Sequence, residues 1–191
     1  MSQVTSPIDN VNYGPLSLLT GTWDGGNGMD IAPEPDGQEA NPFYEQILFE
    51  AIGEVTNAEQ QTLAALRYHQ VVRRKSNDKV FHNEIGYWLW DAAQGLVMQT
   101  LTIPRGVSLI AGVAYKIGAP GEPTVLEVRA AIDDAEWTIA QSPFMLDNAK
   151  TIEFSHTISV DQDTLIYSET TVVEIYGKRF DHSDGNTLQR S

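Results

Sequence analysis

The chain has 191 residues, no cysteine and a formal net charge of −14 at pH 7. The absence of cysteine excludes disulfides and thiolate chemistry, and the acidity argues against nucleic acid and anionic membranes as partners, since both attract clustered Lys and Arg. The length and the 41% hydrophobic content fit a single domain with its own core.

The N-terminal residues show neither the basic region nor the apolar region of a signal peptide, and no stretch has the length of a membrane span. The sequence therefore predicts a cytoplasmic protein. Residues 1–13 are expected to form a flexible N-terminal arm, and residues 14–191 a single domain. Pro15 favours one short helical turn where that domain begins.

Runs of strand-forming residues recur from residue 21 onward, with short breaks rich in Gly, Pro, Asn and Asp. Short connections make successive strands pair antiparallel. About ten such strands without a long amphipathic helix predict an all-β fold: an antiparallel up-and-down barrel like those of lipocalins and fatty-acid-binding proteins. The predicted strands are 21–30, 43–53, 61–74, 79–90, 95–103, 106–117, 123–132, 135–142, 149–160 and 163–177.

The C-terminal tail from Gly177 to Ser191 departs from this strand pattern. It is polar, and Asp181 and Asp184 stand on either side of His182. These aspartates are typical of a solvated turn, although their carboxylates could also hold a hard cation. The tail is therefore predicted to be a loop followed by one short element.

The segment Gly21–Gly28 reads GTWDGGNG and places one indole among four glycines. Glycines allow a strand to bend and neighbouring backbones to approach, and an indole can fill the narrow end of a small barrel. The combination resembles the calycins, whose barrels open with a Gly-x-Trp element and often cover the indole with an Arg from the far end of the chain. Trp23 and Arg190 would be that closing pair, in cation–π contact.

A narrower resemblance rests on four segments in order. GTWDGGNG is followed by FYEQ at 43–46, HNEIGYW at 82–88 and QTLTIPRG at 99–106. Together they resemble the nitrobindin-like heme-binding β-barrel family over roughly residues 14–190. The resemblance implies a ten-stranded barrel that binds ferric heme b in an apolar pocket, with nitric oxide binding and peroxynitrite isomerisation as the associated activities.

In that family one histidine near the C-terminus binds the iron, and His182 is its nearest counterpart here. His182 lies 15 residues after Tyr167 and 8 before Arg190. Adjacent Asp181 and Asp184 favour a charged imidazole, whereas iron needs a neutral one. If heme is bound, any isomerisation would be chemistry of the iron, and no side chain is assigned as catalytic.

Strand parity offers a second heme-ligand candidate, His156, which shares a face with apolar residues including Phe154 and Ile158. A histidine on such a face is more often an ordinary core residue. His82 shares a face with Glu84 and Trp88, so these three residues are pocket candidates or, equally, a cross-strand polar pair beside surface aromatics.

Further pocket candidates are Tyr44 in the second segment and the arginines Arg67, Arg129 and Arg105, which could hold a carboxylate. Two alternatives to heme stay open. The barrel could carry a fatty-acid-like or other small hydrophobic ligand without catalysis, or it could be packed solid with side chains. The partner is expected to be a small molecule, and a homodimer is left open.

Overall fold

The fold is described from a computed structural model that covers residues 10–119 and 121–191. Almost all of its regular structure is strand. A 3₁₀ turn at Gly14–Leu16 precedes the first strand, and one short helix, α1, covers Pro143–Asn148. The strands are β1 Gly21–Glu34, β2 Gly37–Asn57, β3 Gln61–Arg74, β4 Val80–Asp91, β5 Leu96–Ile103, β6 Val107–Ala114, β7 Thr124–Ala131, β8 Ile139–Gln141, β9 Ala149–Asp161, β10 Thr164–Ile175 and β11 Lys178–Arg190.

Ten of these strands close into an antiparallel barrel. The order around the wall is β5-β4-β3-β2-β1-β11-β10-β9-β7-β6, and β6 pairs back to β5. The first and last strands are joined, with Trp23 opposite Arg190 and Asp30 opposite Asp184. The predicted all-β up-and-down barrel is therefore confirmed.

Two details of the strand prediction were wrong. The predicted strand 135–142 contains only the three residues of β8, which pair with the start of β6 beside the wall. The tail predicted as a loop is β11, a wall strand of 13 residues. Its alternation was hidden because the inward residues of its middle section are polar, among them His182, Asp184 and Asn186.

One end of the barrel is sealed by apolar side chains. Trp23 is fully buried, and its Nε1 donates to the carbonyl of Leu19 at 2.7 Å. The guanidinium carbon of Arg190 lies 4.1 Å from the centroid of the indole ring. Arg190 also donates to the carbonyls of Leu18 and Thr20, so the C-terminal strand is tied to the segment that enters β1.

The glycines after Trp23 change the phase of β1. Its register with β2 shifts between Gly25 and Gly28, which marks a β-bulge. Without the bulge, the alternation that turns Trp23 inward would also turn Met29 inward. With it, Asp30 is buried and Met29 is exposed. The bulge thus places a carboxylate inside the barrel.

Two inward glycines also leave space for larger neighbours. A Cβ on Gly28 would lie 2.0 Å from the ring of Phe43, and one on Gly25 would lie 2.4 Å from Nδ2 of Asn186. Alanine at either position would require those side chains to move. This is why one large indole and several glycines occur within eight residues.

The predicted arm, residues 1–13, falls largely on residues 1–9, which lie outside the described residues. Within the described part, Tyr13 is buried in the core and its hydroxyl accepts from the Gly53 amide at 2.9 Å. In the described ranges, no helix is long and apolar enough to cross a membrane.

Candidate functional site

A cavity of about 280 Å³ occupies the barrel end opposite Trp23. Its rim is formed by strand ends, by the β1–β2 and β10–β11 hairpins and by α1. His182 and Arg74 keep about a third of their side-chain surface exposed, at 33% each, so the cavity opens to solvent near them. Apolar residues form much of the lining: Ala32, Pro33, Phe43, Val72, Phe81, Leu101, Ile103, Val107, Leu109, Met145, Ala149, Phe154, Val173 and Ile175.

His182 points into this cavity from β11 and is held by a carboxylate. Its Nε2 lies 2.6 Å from Oδ1 of Asp30. Because a carboxylate oxygen can only accept, Nε2 carries the hydrogen and Nδ1 is left available. The other oxygen of Asp30 accepts from Nδ2 of buried Asn41 at 3.0 Å, which fixes the carboxylate in place.

Glu84 and His82 form a second imidazole–carboxylate pair on the cavity wall contributed by β4. Nε2 of His82 lies 3.3 Å from Oε2 of Glu84, and the Tyr68 hydroxyl donates to the other oxygen. Burial alone would raise the pKa of Glu84, but the hydrogen bond and charge of His82, with Tyr68, lower it. Burial likewise opposes the charged form of His82, yet Glu84 raises the pKa of this imidazole. Glu84 is therefore an ionised acceptor.

An ordered chain of hydrogen bonds runs from Glu84 to His156. Since Tyr68 donates to Glu84, the tyrosine oxygen accepts from Nε2 of Gln99 at 2.9 Å. The amide oxygen of Gln99 then faces Nδ1 of His156 at 3.1 Å, so Nδ1 must carry the hydrogen. Nε2 of His156 is left as a bare lone pair, and it is buried without a hydrogen-bond partner in the described chain.

His156 does not line the cavity. It lies beneath the floor with Trp88, whose ring centroid is 5.7 Å from that of the imidazole. Burial lowers the pKa of His156 to about 4, so the ring is neutral at pH 7. His156, the second heme-ligand candidate from the sequence, thus has the neutral imidazole that a metal needs. Its position beneath the floor does not suit a metal bound in the cavity.

A further carboxylate, Glu45, is buried at the centre of a separate hydrogen-bonded cluster. It accepts from the amides of Gln70 at 2.6 Å and Asn186 at 2.8 Å and from the Tyr167 hydroxyl at 3.0 Å. Burial raises the pKa of Glu45 to about 7 although all three donors stabilise its anion. Gln70 and Tyr167 reach the cavity lining, so this cluster supports its floor.

Glu169 and Asp184 bring two more carboxyl groups into the cavity lining. Burial, together with the charges of Asp184 and Glu84, raises the pKa of Glu169 well above its ordinary value. Burial raises the pKa of Asp184 to about 6, with Asp30 and Glu84 adding to the shift. The interior therefore concentrates carboxyl groups that repel one another.

Two arginines at the rim of the cavity carry the charge opposite to that of its ionised carboxylates. Arg74 lies over the Phe81 ring at 5.0 Å, and its Nε is buried without a hydrogen-bond partner in the part of the chain described. Arg105 is exposed and donates to the Phe81 carbonyl at 3.2 Å. Both line the cavity and are placed to meet an anionic group entering it.

The structure brings together four of the sequence-predicted site residues on the cavity lining: His82, Glu84, Arg105 and His182. Four others lie elsewhere, which corrects the prediction. The Tyr44 hydroxyl bonds Asp78 on the outer surface, and Trp88 is packed in the core. Arg67 pairs with Glu50 outside the barrel at 2.6 Å, and Arg129 is exposed on the outer face of β7. Strand alternation turns Tyr44, Arg67 and Arg129 outward. Trp88 has the same inward phase as His82 and Glu84, but it lies in the packed core and not in the cavity lining.

Sequence reasoning missed Asp30, Tyr68, Gln99, Glu169 and Arg74. A usable signal existed for Glu169, since it follows Leu165 and Tyr167 at alternate positions and so shares their inward face. A charged residue in phase with buried apolar ones indicates an interior polar site. Asp30 gave no such signal, because the bulge breaks the alternation before it.

A family model described as "THAP4-like, heme-binding beta-barrel domain" matches residues 12–190. Among solved structures, a crystal structure of Rv2717c from M. tuberculosis is similar, with 23% sequence identity and a TM-score of 0.64. The match covers 92% of this chain and 94% of that one, and at this identity it shows a shared fold. A search of curated proteins found no match.

Proposed function

This chain belongs to the family of THAP4-like, heme-binding β-barrel domains, and from that premise we propose that its open end binds heme b, with His182 as the axial ligand of the iron. The membership confirms the resemblance seen in the four sequence segments. The identity of the cofactor and its ligand is the proposal.

The observation that carries the proposal is the contact between His182 and Asp30. Metal-binding histidines commonly donate one ring N–H to a carboxylate, which orients the ring and raises its basicity. Here Asp30 accepts from Nε2 at 2.6 Å and leaves Nδ1 for a metal. No other described histidine both lines the cavity and has a carboxylate partner on a neighbouring strand.

The rest of the cavity lining also suits heme b. Heme b presents a flat apolar surface and two propionates. Phe43, Phe154 and the aliphatic lining offer apolar contact, and Arg74 and Arg105 offer cations for the propionates. The cavity volume of about 280 Å³ lies just below that of typical ligand pockets, about 300–1,000 Å³. The ligand would therefore extend into the solvent-exposed mouth.

Bound heme would supply coordination of small ligands at iron, and we propose nitric oxide binding and peroxynitrite isomerisation as the associated activities. The protein's part is to orient His182 through Asp30, to exclude bulk water with the apolar lining and to hold a proton on His82 beside Glu84.

A titration of the purified protein with ferric heme tests the proposal. We expect saturation at one heme per chain and a shifted Soret band, both lost in His182→Ala. His69→Ala, on the outer surface beside Asn83, is the matched control. His156→Ala should keep the band, because His156 does not line the cavity. Retention of the wild-type Soret spectrum in His182→Ala would refute the ligand assignment.

A second candidate is a fatty-acid-like carboxylate, and the unpartnered Nε of Arg74 favours it. A single alkyl chain would fill the apolar lining while its carboxylate meets Arg74. The presence of a cavity excludes the alternative of a barrel packed solid. Displacement of a bound apolar fluorophore by fatty acid but not by heme, weakened in Arg74→Ala, would favour this candidate over heme.

A further inference from the structure

We infer that Asp30, His182 and Asp184 form a binding site for a divalent first-row transition cation in the protein without heme. The three side chains come from adjacent strands, since Asp30 is the register partner of Asp184 and His182 lies two residues earlier on β11. One ligand atom from each lies within 4.8 Å of the other two. These separations suit a single ion held by all three.

The chemistry of the donors selects the ion. One imidazole nitrogen with two carboxylate oxygens is a set that binds Zn²⁺ with a fourth position left open. Ca²⁺ and Mg²⁺ are bound through oxygen, with six or more ligands for Ca²⁺. Soft ions prefer thiolate or thioether ligands, and none of these three side chains carries sulfur. The fitting class is therefore Zn²⁺ and its divalent neighbours.

The surroundings are built to present these ligands. The bulge in β1 turns Asp30 inward, and Asn41 holds one of its oxygens at 3.0 Å. Such a contact behind a metal-binding carboxylate fixes its orientation.

Asp184 brings a second carboxylate to the site. It lines the cavity close to Asp30 and is partly exposed, and no residue in the described ranges donates a hydrogen bond to its side chain. Two carboxylates placed together without a cation between them repel each other. A bound divalent ion removes that repulsion and replaces the contact between His182 and Asp30 with two metal bonds.

Isothermal titration with Zn²⁺ tests the site, using protein free of heme and of any histidine tag. We expect one ion per chain in the wild type. Asp184→Asn should weaken binding about tenfold or more, since even the loss of outer contacts costs 10–100-fold. Asp181→Asn is the matched control, because it removes the same charge from the outward face of the same strand.

His182→Gln should also weaken binding, with His69→Gln on the outer surface as its control. Co²⁺ used as a probe should develop visible absorption that both ligand variants lose. Equal affinity in Asp184→Asn, Asp181→Asn and the wild type would overturn the inference. Thermal denaturation of each variant shows whether a loss of binding merely reflects unfolding.

The cation site and the proposed heme site share His182, so Zn²⁺ should raise the heme concentration needed for half-saturation. This competition alone rests on the proposed function. Zn²⁺ binding without a Soret band would leave the cation site standing and refute heme. Heme binding without any Zn²⁺ affinity would leave the heme proposal standing and refute the cation site.

Discussion

The two ends of the barrel bury different kinds of side chain. The sealed end buries Trp23, Leu16 and Leu19 completely and covers the indole with Arg190. The open end brings Asp30, Glu84, Glu169 and Asp184 to a single cavity. Buried carboxyl groups that repel one another cost stability. The comparison teaches that apolar packing at the sealed end offsets the loss of stability caused by the buried carboxyl groups at the open end.

The two ends also differ in the interactions that stabilise them. Apolar burial contributes about 25 cal/mol for each Å² removed from water and needs no specific partner. Polar burial at the open end depends on each donor finding an acceptor, as in the chain from Tyr68 through Gln99 to His156. We therefore expect substitutions at the sealed end to change stability and those at the open end to change pH response and binding.

The largest expected effect is at the sealed end. Trp23→Ala removes a fully buried indole and its hydrogen bond to Leu19, and it should lower the free energy of unfolding by about 3–5 kcal/mol. Urea denaturation measures the change. Tyr87→Ala, on the exposed outer face, is the control with a small effect. A loss in Trp23→Ala as small as that control would contradict the role of the plug.

The next effect lies where the two ends meet. Gly28→Ala would place a Cβ 2.0 Å from the Phe43 ring and push that ring toward the cavity, at a cost of about 1–3 kcal/mol. Gly26→Ala is a matched control, because nothing lies within 4 Å of its Cβ. Similar denaturation midpoints for both variants would show that Gly28 serves only the bend.

A smaller effect concerns pH. Burial raises the pKa of Glu45 from its ordinary value of 4.5 to about 7, so as pH falls the folded protein takes up a proton on Glu45 before the unfolded chain does. This carboxyl therefore destabilises the fold above pH 7, and the penalty disappears as pH falls toward 4.5. Glu45→Gln should remove that dependence.

The measurement is the free energy of unfolding at several pH values from 8 to 5. Between these limits the stability of the wild type should rise relative to Glu45→Gln by about 2–3 kcal/mol. Other groups titrate in both proteins, and the subtraction removes their contribution. A constant difference across this range would mean that Glu45 is ionised throughout.

The smallest effect on stability is expected at the rim. Arg105→Ala removes an exposed side chain and should change the free energy of unfolding by no more than about 0.5 kcal/mol. It should nevertheless weaken binding of a ligand that carries a carboxylate. Arg129→Ala, on the outer wall, should alter neither quantity. Unchanged ligand affinity in Arg105→Ala would remove this arginine from the site.

The sequence by itself determined the barrel, because alternating strand residues and short turns leave antiparallel pairing as the simplest arrangement. It also pointed to Trp23 and Arg190 and to four cavity residues, His82, Glu84, Arg105 and His182. Trp23, His82, Glu84 and Arg105 stand in the segments that carry the resemblance, whereas His182 and Arg190 were found from their positions near the C-terminus in the families that the chain resembles.

Only the tertiary structure decided which polar side chains meet. The bulge after Gly25 reverses the phase of β1 and turns Asp30 inward, and β11 has a polar inner face that alternation cannot distinguish from a loop. The site joins residues more than 150 positions apart, such as Asp30 and His182. Hydrophobic periodicity reports burial in an apolar core, whereas a polar cavity is defined by partners that only the closed wall brings together.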